Sequence, residues 1–479
     1  MIDFADMIFH HALSQPEKPA IILSDRLVTY AMVARGAMSV ADRIAALNLP
    51  RHALVAIAVD SPLRHMILAT ALYRLGHPSL SVWATREIPA IGLPIAVILE
   101  GNRAALAPGL NQVLVEDDWF GGEARPFNAS PAAGFGGDDA VARVALSSGT
   151  TGTPKAISLS VAAVRLWVRN YYFSIGCADW SRMLLLPGLA TSWGFTMAAH
   201  TLGAGKTLCF AADARETLDM IALHRIDCLA AATQHVHDLI AEQQRQPVPL
   251  PTLRVVTAAG SLMSREMLRD ARAALCPQIW INYGSTEAAC TAYASTDQLL
   301  ATEGAVGFVC PWAEVEVLGD DGGALPPDTD GAYRIRADCM GRPYPAPQPG
   351  DSIRDGWFYP GDRGRIRPDG MLIVSGRVTD IINVAGTKMA PELIEDVVRR
   401  HPAVADVAAV GVMGASGLEE VWLAVVTRGP LVPEEIVALC AAVEIPVARV
   451  VTVVEIPRNV LAKIERGRIK KEIQAITNG

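Results

Sequence analysis

The chain has 479 residues, of which 51% are hydrophobic and 19% charged, and its formal net charge is −8. That apolar content supplies a large buried core and excludes a disordered chain, and at about 150 residues per domain the length points to roughly three domains or subdomains. A mildly acidic chain without a long basic run is a poor candidate for nucleic-acid binding or for an anionic membrane surface. The first residues, "MIDFADMIFHHALSQPEKPA", mix acids and histidines with apolar residues. They lack the basic start and continuous apolar run of a signal peptide, and nowhere does an apolar stretch approach the about 18 residues of a membrane span. The eight cysteines (Cys177, Cys209, Cys228, Cys276, Cys290, Cys310, Cys339 and Cys440) form no CxxC and pair with no His at zinc-finger spacing. The expectation is a soluble cytoplasmic protein with buried, reduced thiols.

In chain order, "TYAMVARGAMSVADRIAAL" repeats small and apolar residues at helical spacing, "HALVAIAVD" is a run of strand length, and "RHMILATALYRLGH" is helical again. Strand then helix, repeated, predicts βαβ units and a largely parallel sheet. "VARVALSS", "RMLLLPG", "IDCLAAAT" and "LRVVTAAG" continue as short apolar strands, with "SREMLRDARAAL" as a helix between strands. After about residue 300 the texture changes: "AEVEVLGDDGGALPPDTDGAYRIRAD" alternates apolar and polar residues around Gly- and Pro-rich turns, as antiparallel hairpins do. "PELIEDVVRRHP" opens a last section as a helix beginning at Pro391, followed by the strands "VADVAAVGVM" and "VWLAVVT", the helix "PEEIVALCAAV" and the strand "VARVVTVVEIP". The cut before this small α+β section falls just after Arg377.

Residues 147–155, "SSGTTGTPK", are the most distinctive stretch. A Gly-rich turn between a strand and a helix exposes backbone N–H groups that, with a Lys, hold phosphate oxygens. The Walker pattern GxxxxGK[ST] fails, because Pro154 precedes Lys155 and Ala156 follows it. Taken alone, the run reads equally well as a mobile surface loop without a ligand.

The run is not alone. "SSGTTGTPK" resembles the phosphate loop of the adenylate-forming superfamily, which includes acyl- and aryl-CoA synthetases, peptide-synthetase adenylation domains and beetle luciferases. In the family's order come "LRVVTAAGSL" (253–262), "NYGSTEA" (282–288), "GWFYPGDRGRIRPDG" (356–370), "GRVTDIINVAGTKMAPELIE" (376–395) and "IPRNVLAKIERGRIKKEI" (456–473). The resemblance covers essentially the whole chain. It implies an α/β protein with a large N-terminal domain (1–378) of mixed, mostly parallel αβ-layered sheets plus a β-barrel-like subdomain. It also implies a small mobile α+β C-terminal domain (379–479).

The same resemblance implies a two-step reaction. A carboxylate attacks the α-phosphate of ATP to give an acyl-adenylate, and a thiol of CoA or of a carrier-protein phosphopantetheine then displaces AMP. On this resemblance Ser148, Gly149, Thr150, Thr151, Gly152 and Lys155 would grip the β- and γ-phosphates. Tyr283 would stack on or edge the adenine, with Gly260 and Ser261 opposite and Asn282, Gly284, Ser285 and Thr286 completing that side. Glu287, with Thr151, would bind Mg²⁺, a hard ion that takes oxygen ligands. A Glu at a helix start could equally serve the helix dipole. Asp362 would accept from the ribose hydroxyls, and Arg377 would donate near the ribose or phosphate. Lys463 would meet the charge that builds at the reacting carboxylate and α-phosphate, while Arg466, Arg468, Lys470 and Lys471 beside it read as solvated cations. The hinge falls on Thr379, where many members carry Asp or Lys.

Pro360 stands where many members have Thr, and Ala462 where Gly commonly precedes the catalytic Lys. These departures keep open a degenerate homologue that binds ATP without turnover. The resemblance puts the acyl pocket around 189–196, 232–239, 257–261 and 283–285, with Trp193, Phe195, His235 and Gly284 as candidate walls. His235 and His237 lack a third metal ligand and read as ordinary helix or pocket residues. No Asp lies in 189–196 to pair with a substrate ammonium, which favours an acid without an α-amine, and Trp and Phe suit an aromatic or medium aliphatic tail. The expectation is a CoA ligase. The alternative is an enzyme that loads a carrier protein, and a homodimer is compatible with either.

Overall fold

A computed structural model describes residues 3–83, 88, 92–106, 108–121, 134–147, 155–175, 179–260, 263, 265–302, 304–347, 351–377, 382–384, 387–389, 391–414, 419–458 and 464–478. Two large sheets dominate up to residue 377. In the first, Pro19–Ile22, Thr207–Cys209, Arg182–Leu185, Cys228–Ala232, Val255–Ala259 and Gln278–Ser285 are successive parallel neighbours. Direction then reverses at Ala289–Ser295, and Ala305–Val309, Met371–Arg377, Asp362–Ile366 and Gly331–Ala337 continue antiparallel. The second sheet pairs Gln112–Leu114, Ile95–Glu100, Leu54–Ala58, Ser79–Ser81 and Val141–Ser147 in parallel.

The expected strand–helix alternation is present, and most of the parallel strands are predominantly apolar. Leu54–Ala58 is buried at every position, as a strand covered on both faces must be. Helix ends carry local signals. Ser61 accepts from the Arg64 N–H ahead of Pro62, and Gly76 ends that helix, Pro62–Leu75, at φ 75°. A Cβ at Gly76 would also lie 1.8 Å from the Gly134 carbonyl oxygen, so that turn requires glycine. One element escapes the pattern reading: Phe4–Ser14 is a helix, capped by Asp3, which accepts from the Asp6 N–H, and it buries Phe4, Ile8 and Phe9 in the main core.

The hairpin expected from the Gly- and Pro-rich region forms between Ala313–Leu318 and Gly331–Ala337, in register from Ala313↔Ala337 to Leu318↔Ala332. These strands, expected as a barrel-like subdomain, join the antiparallel end of the first sheet. Beyond residue 381 the chain has its own cores. Val404–Met413 pairs antiparallel with Glu419–Thr427, which pairs parallel with Val447–Thr452, and Leu423, Val425 and Ile436 are buried with Ile394 and Val398.

Among the polar groups buried in and around the main core are Arg143 and His65, which composition does not announce. Arg143 is almost fully buried. Its guanidinium donates to Ser79 Oγ, Ser81 Oγ and the Leu189 carbonyl, and lies 3.7 Å from the Phe195 ring centroid. His65 Nε2 lies 2.7 Å from Ser81 Oγ, and burial, helped by the nearby Arg143 charge, pushes its pKa down to about 3. A histidine whose folded pKa lies below its unfolded value near 6.5 stabilises the fold above that value, and the contribution is lost as pH falls toward the folded pKa. Urea denaturation at pH 7.5 and 5.0 should therefore show a loss of about 2 kcal/mol traceable to His65, and His65→Gln should reduce the pH dependence by that amount.

Candidate active site

The strands Val255–Ala259 and Gln278–Ser285 run parallel, with Ala259 opposite Asn282, so their ends bring Gly260 level with Tyr283. Gly260 has φ 110°, a conformation open to glycine. The Tyr283 hydroxyl donates to Asp362 Oδ2 at 2.5 Å, and Arg377 Nε donates to the other carboxylate oxygen at 3.2 Å. Asp362 and Arg377 face each other across the antiparallel strands Asp362–Ile366 and Met371–Arg377. Thus three residues that belong to separate sequence motifs form one hydrogen-bonded group. Sequence reasoning misses a fourth. The Tyr333 hydroxyl lies 2.7 Å from that of Tyr283 and 3.5 Å from Asp362 Oδ2. Its only sequence signal is a large aromatic in the inward phase of the strand Gly331–Ala337. Asn282 is turned the other way: its amide donates to Thr257 Oγ1 at 2.6 Å and its carbonyl oxygen lies 3.4 Å from Cys290 Sγ, so it braces the sheet rather than facing the Tyr283 cluster.

Glu287 lies in the turn between the antiparallel strands Gln278–Ser285 and Ala289–Ser295, not at a helix start, so the helix-dipole reading falls away. The turn is tight. A Cβ at Gly284 would sit 2.1 Å from the Ala289 carbonyl oxygen, Ala289 has φ 57°, and the Ala288 N–H donates to Ser285 Oγ. Glu287 is buried, its carbonyl accepts from the Gly341 N–H, and the neighbouring Thr286 hydroxyl lies 3.4 Å from Ser192 Oγ. Glu287 thus offers a buried carboxylate, the kind of oxygen donor a hard cation takes.

Lys155 opens the strand Lys155–Ser160, paired antiparallel with Val141–Ser147 so that Ser147 faces Lys155. The phosphate-loop sequence is therefore flanked by two strands, not by a strand and a helix; the next described helix begins at Val161. Lys155 Nζ lies 3.8 Å from Asp351 Oδ1. Ser148, Gly149, Thr150, Thr151, Gly152, Ser261, Thr379 and Lys463 lie outside the described residues.

On the proposed acyl side, Phe195 is not a free wall. It is 3% exposed, in contact with the Arg143 guanidinium and, in a T-shaped arrangement, with the Phe4 ring. Trp193 is partly buried, and its indole N–H has no hydrogen-bond partner among the described residues. His235 Nδ1 accepts from the Ala232 N–H at 3.1 Å and so closes the first turn of the helix Thr233–Arg245; burial holds its pKa below the usual histidine value. His237 contacts Gln234 and Asp238 instead, which leaves the two histidines in separate local roles.

Arg466 overturns its reading as a solvated cation. It opens the helix Arg466–Asn478, pairs with Glu395 and Glu392, and donates to the Ala409 carbonyl. Burial opposes its charge, but the two carboxylates outweigh this and raise its pKa. Arg458, opposite Ile464 in an antiparallel bridge, donates to both oxygens of Asp406 at 2.8 and 3.1 Å.

Comparison with known proteins matches this architecture. Indoleacetate–CoA ligase of Aromatoleum aromaticum is 27% identical, with 98% of each chain covered. Salicyl-AMP ligase / salicyl-S-ArCP synthetase of Mycobacterium tuberculosis is 30% identical over 59% of this chain and 52% of its own. O-succinylbenzoate Coenzyme A synthetase of Bacillus subtilis, in complex with ATP and magnesium ion, superposes with a TM-score of 0.85 at 21% identity, covering 97% of this chain and 99% of that one. The fold is that of the adenylate-forming enzymes. The AMP-binding enzyme family matches residues 97–344, more than half the chain, and the protein belongs to that family.

Glu395 has a side chain only 3% exposed beside Arg466. Removing the cation leaves Glu395 with Arg399 at 3.5 Å and the Ala409 N–H, so the loss falls below the about 3–5 kcal/mol of a fully orphaned buried charge. Arg466→Ala should show that loss in urea denaturation, with Arg466→Lys recovering part of it.

Proposed function

We propose that the protein activates a carboxylic acid with ATP and transfers the acyl group to a thiol, most simply that of CoA. The observation that carries this reading is the union of Tyr283, Asp362 and Arg377 in one hydrogen-bonded group at the sheet end beside Gly260. A carboxylate fixed by a guanidinium and a phenol suits the two hydroxyls of a ribose, and the tyrosine ring suits an adenine. The full-length similarity to named CoA ligases supports the same chemistry.

In the first half-reaction an oxygen of the acid attacks the α-phosphorus, the bond to the bridging oxygen breaks, and pyrophosphate leaves. In the second, the thiol sulfur attacks the acyl carbonyl carbon and AMP departs. Both halves demand positioning and charge neutralisation more than covalent help from the protein. Asp362 and Arg377 hold the ribose, Tyr283 orients the base, Lys155 meets the outer phosphates, and Lys463 stabilises the crowded α-phosphate. Glu287, with Thr151, would hold Mg²⁺, which when bound neutralises phosphate charge. Thr379 serves as the hinge by which residues 379–479 withdraw Lys463 between the halves. The buried free thiols among the described cysteines support a reducing, cytoplasmic setting.

Loading of a carrier-protein pantetheine is the second reading, supported by the similarity to the salicyl-AMP ligase / salicyl-S-ArCP synthetase. A pyrophosphate-exchange screen over aryl and medium-chain acids tests the first half-reaction, and release of AMP with CoA or with a phosphopantetheinylated carrier separates the acceptors. Measurable ATP binding without exchange for any acid would sink the enzyme reading in favour of a degenerate homologue. Lys463→Ala is expected to abolish exchange while largely sparing thiol transfer from preformed acyl-adenylate. Glu287→Ala should raise the Mg²⁺ concentration needed for half-maximal exchange; an unchanged requirement counts against its metal role.

A further inference from the structure

Tyr333 stands in the nucleotide cluster without any part in the reaction above. It is 1% exposed, on the strand Gly331–Ala337, packed among Phe358, Leu372 and Val374. Its hydroxyl is the one polar atom of an otherwise apolar side chain, and it meets the Tyr283 hydroxyl at 2.7 Å and Asp362 Oδ2 at 3.5 Å. Burial, then the neighbouring Asp362 charge, raises the Tyr333 pKa well above the usual phenol value, and Tyr283 is raised for the same kinds of reason. Both phenols therefore stay protonated and act as donors. Tyr283 spends its proton on the carboxylate, so the short contact between the phenols is satisfied by Tyr333 donating to the Tyr283 oxygen.

We propose that Tyr333 is a positioning residue for nucleotide recognition: its hydroxyl polarises and orients the Tyr283 hydroxyl, which in turn fixes the Asp362 carboxylate for the ribose. The inference rests on the reading of Asp362 as the ribose acceptor. The relay Tyr333–Tyr283–Asp362 is charge-assisted at its end, where each donor strengthens the next. Arg377 fixes the other carboxylate oxygen, so the two phenols and the guanidinium together set the plane of the carboxylate.

The test is direct binding, which needs no knowledge of the acid. Calorimetric titration of the full chain with Mg·ATP and with the 2′,3′-dideoxy analogue gives a discrimination ratio. Wild type should prefer ATP, and Asp362→Asn should erase most of the preference. Tyr333→Phe should weaken ATP binding by about three- to tenfold, the scale of one lost hydrogen bond in a charged network, and leave the dideoxy analogue nearly unaffected. Tyr333→Phe keeps the buried ring, and matching urea denaturation midpoints for it and wild type separate the affinity change from a folding defect. A Tyr333→Phe protein that loses affinity for both nucleotides equally, or keeps the wild-type ratio while Asp362→Asn narrows it, overturns the positioning role alone. If wild type does not distinguish the nucleotides, the ribose reading of Asp362 falls first and the role of Tyr333 falls with it.

Discussion

The hydrogen bond from Tyr283 to Asp362 joins two halves of the fold that owe their form to different patterns. Tyr283 lies near the end of the last strand of a parallel series, while Asp362 begins a strand of the antiparallel series 79 residues later. Parallel strands collect their carboxyl ends along one edge, where backbone groups are left unpaired and ligands bind. The antiparallel strands carry an acid, a guanidinium and a second phenol to that edge. Without the reversal of direction at the turn before Ala289, the same residues could not meet.

That reversal constrains the turn more tightly than its chemistry does. Gly284 has no room for a Cβ beside the Ala289 carbonyl, and Ala289 accepts a left-handed φ that most residues avoid. The arrangement leaves residues 286–288 little backbone freedom and keeps Glu287 and Ala288 buried. The flanking strands stay paired from Trp280↔Ser295 to Ser285↔Ala289, with one register shift between Tyr283 and Gly284 that takes up the irregularity beside the turn.

Much of the architecture is legible in the sequence, since apolar runs of strand length and helical periodicity survive into the structure almost element by element. The hairpin at 313–337 and the section from Pro391 are equally plain. The helix Phe4–Ser14 is easily overlooked, because acids and histidines interrupt the apolar face that it buries. Of the site, residues embedded in distinctive ordered motifs, such as Tyr283, Asp362 and Arg377, emerge together. The strand Lys155–Ser160 replaces the helix expected after the phosphate loop, since Gly- and hydroxyl-rich turns precede helices and strands alike. Tyr333 and Arg466 carry no local mark. Each takes its meaning from a partner far along the chain, and single-residue character says nothing of such pairing.

The acyl side shows the same limit in another form. An aromatic or a histidine in a candidate pocket segment can face a substrate or serve the core, and only packing distinguishes them. Phe195 goes to the core because Arg143, a buried cation, needs a low-polarity partner that still attracts charge, and the ring face provides one. His235 goes to its own helix, since the first turn leaves N–H groups that some acceptor must meet. Trp193, partly buried with its N–H unpaired among the described residues, is left as the side chain of the three with polar capacity uncommitted.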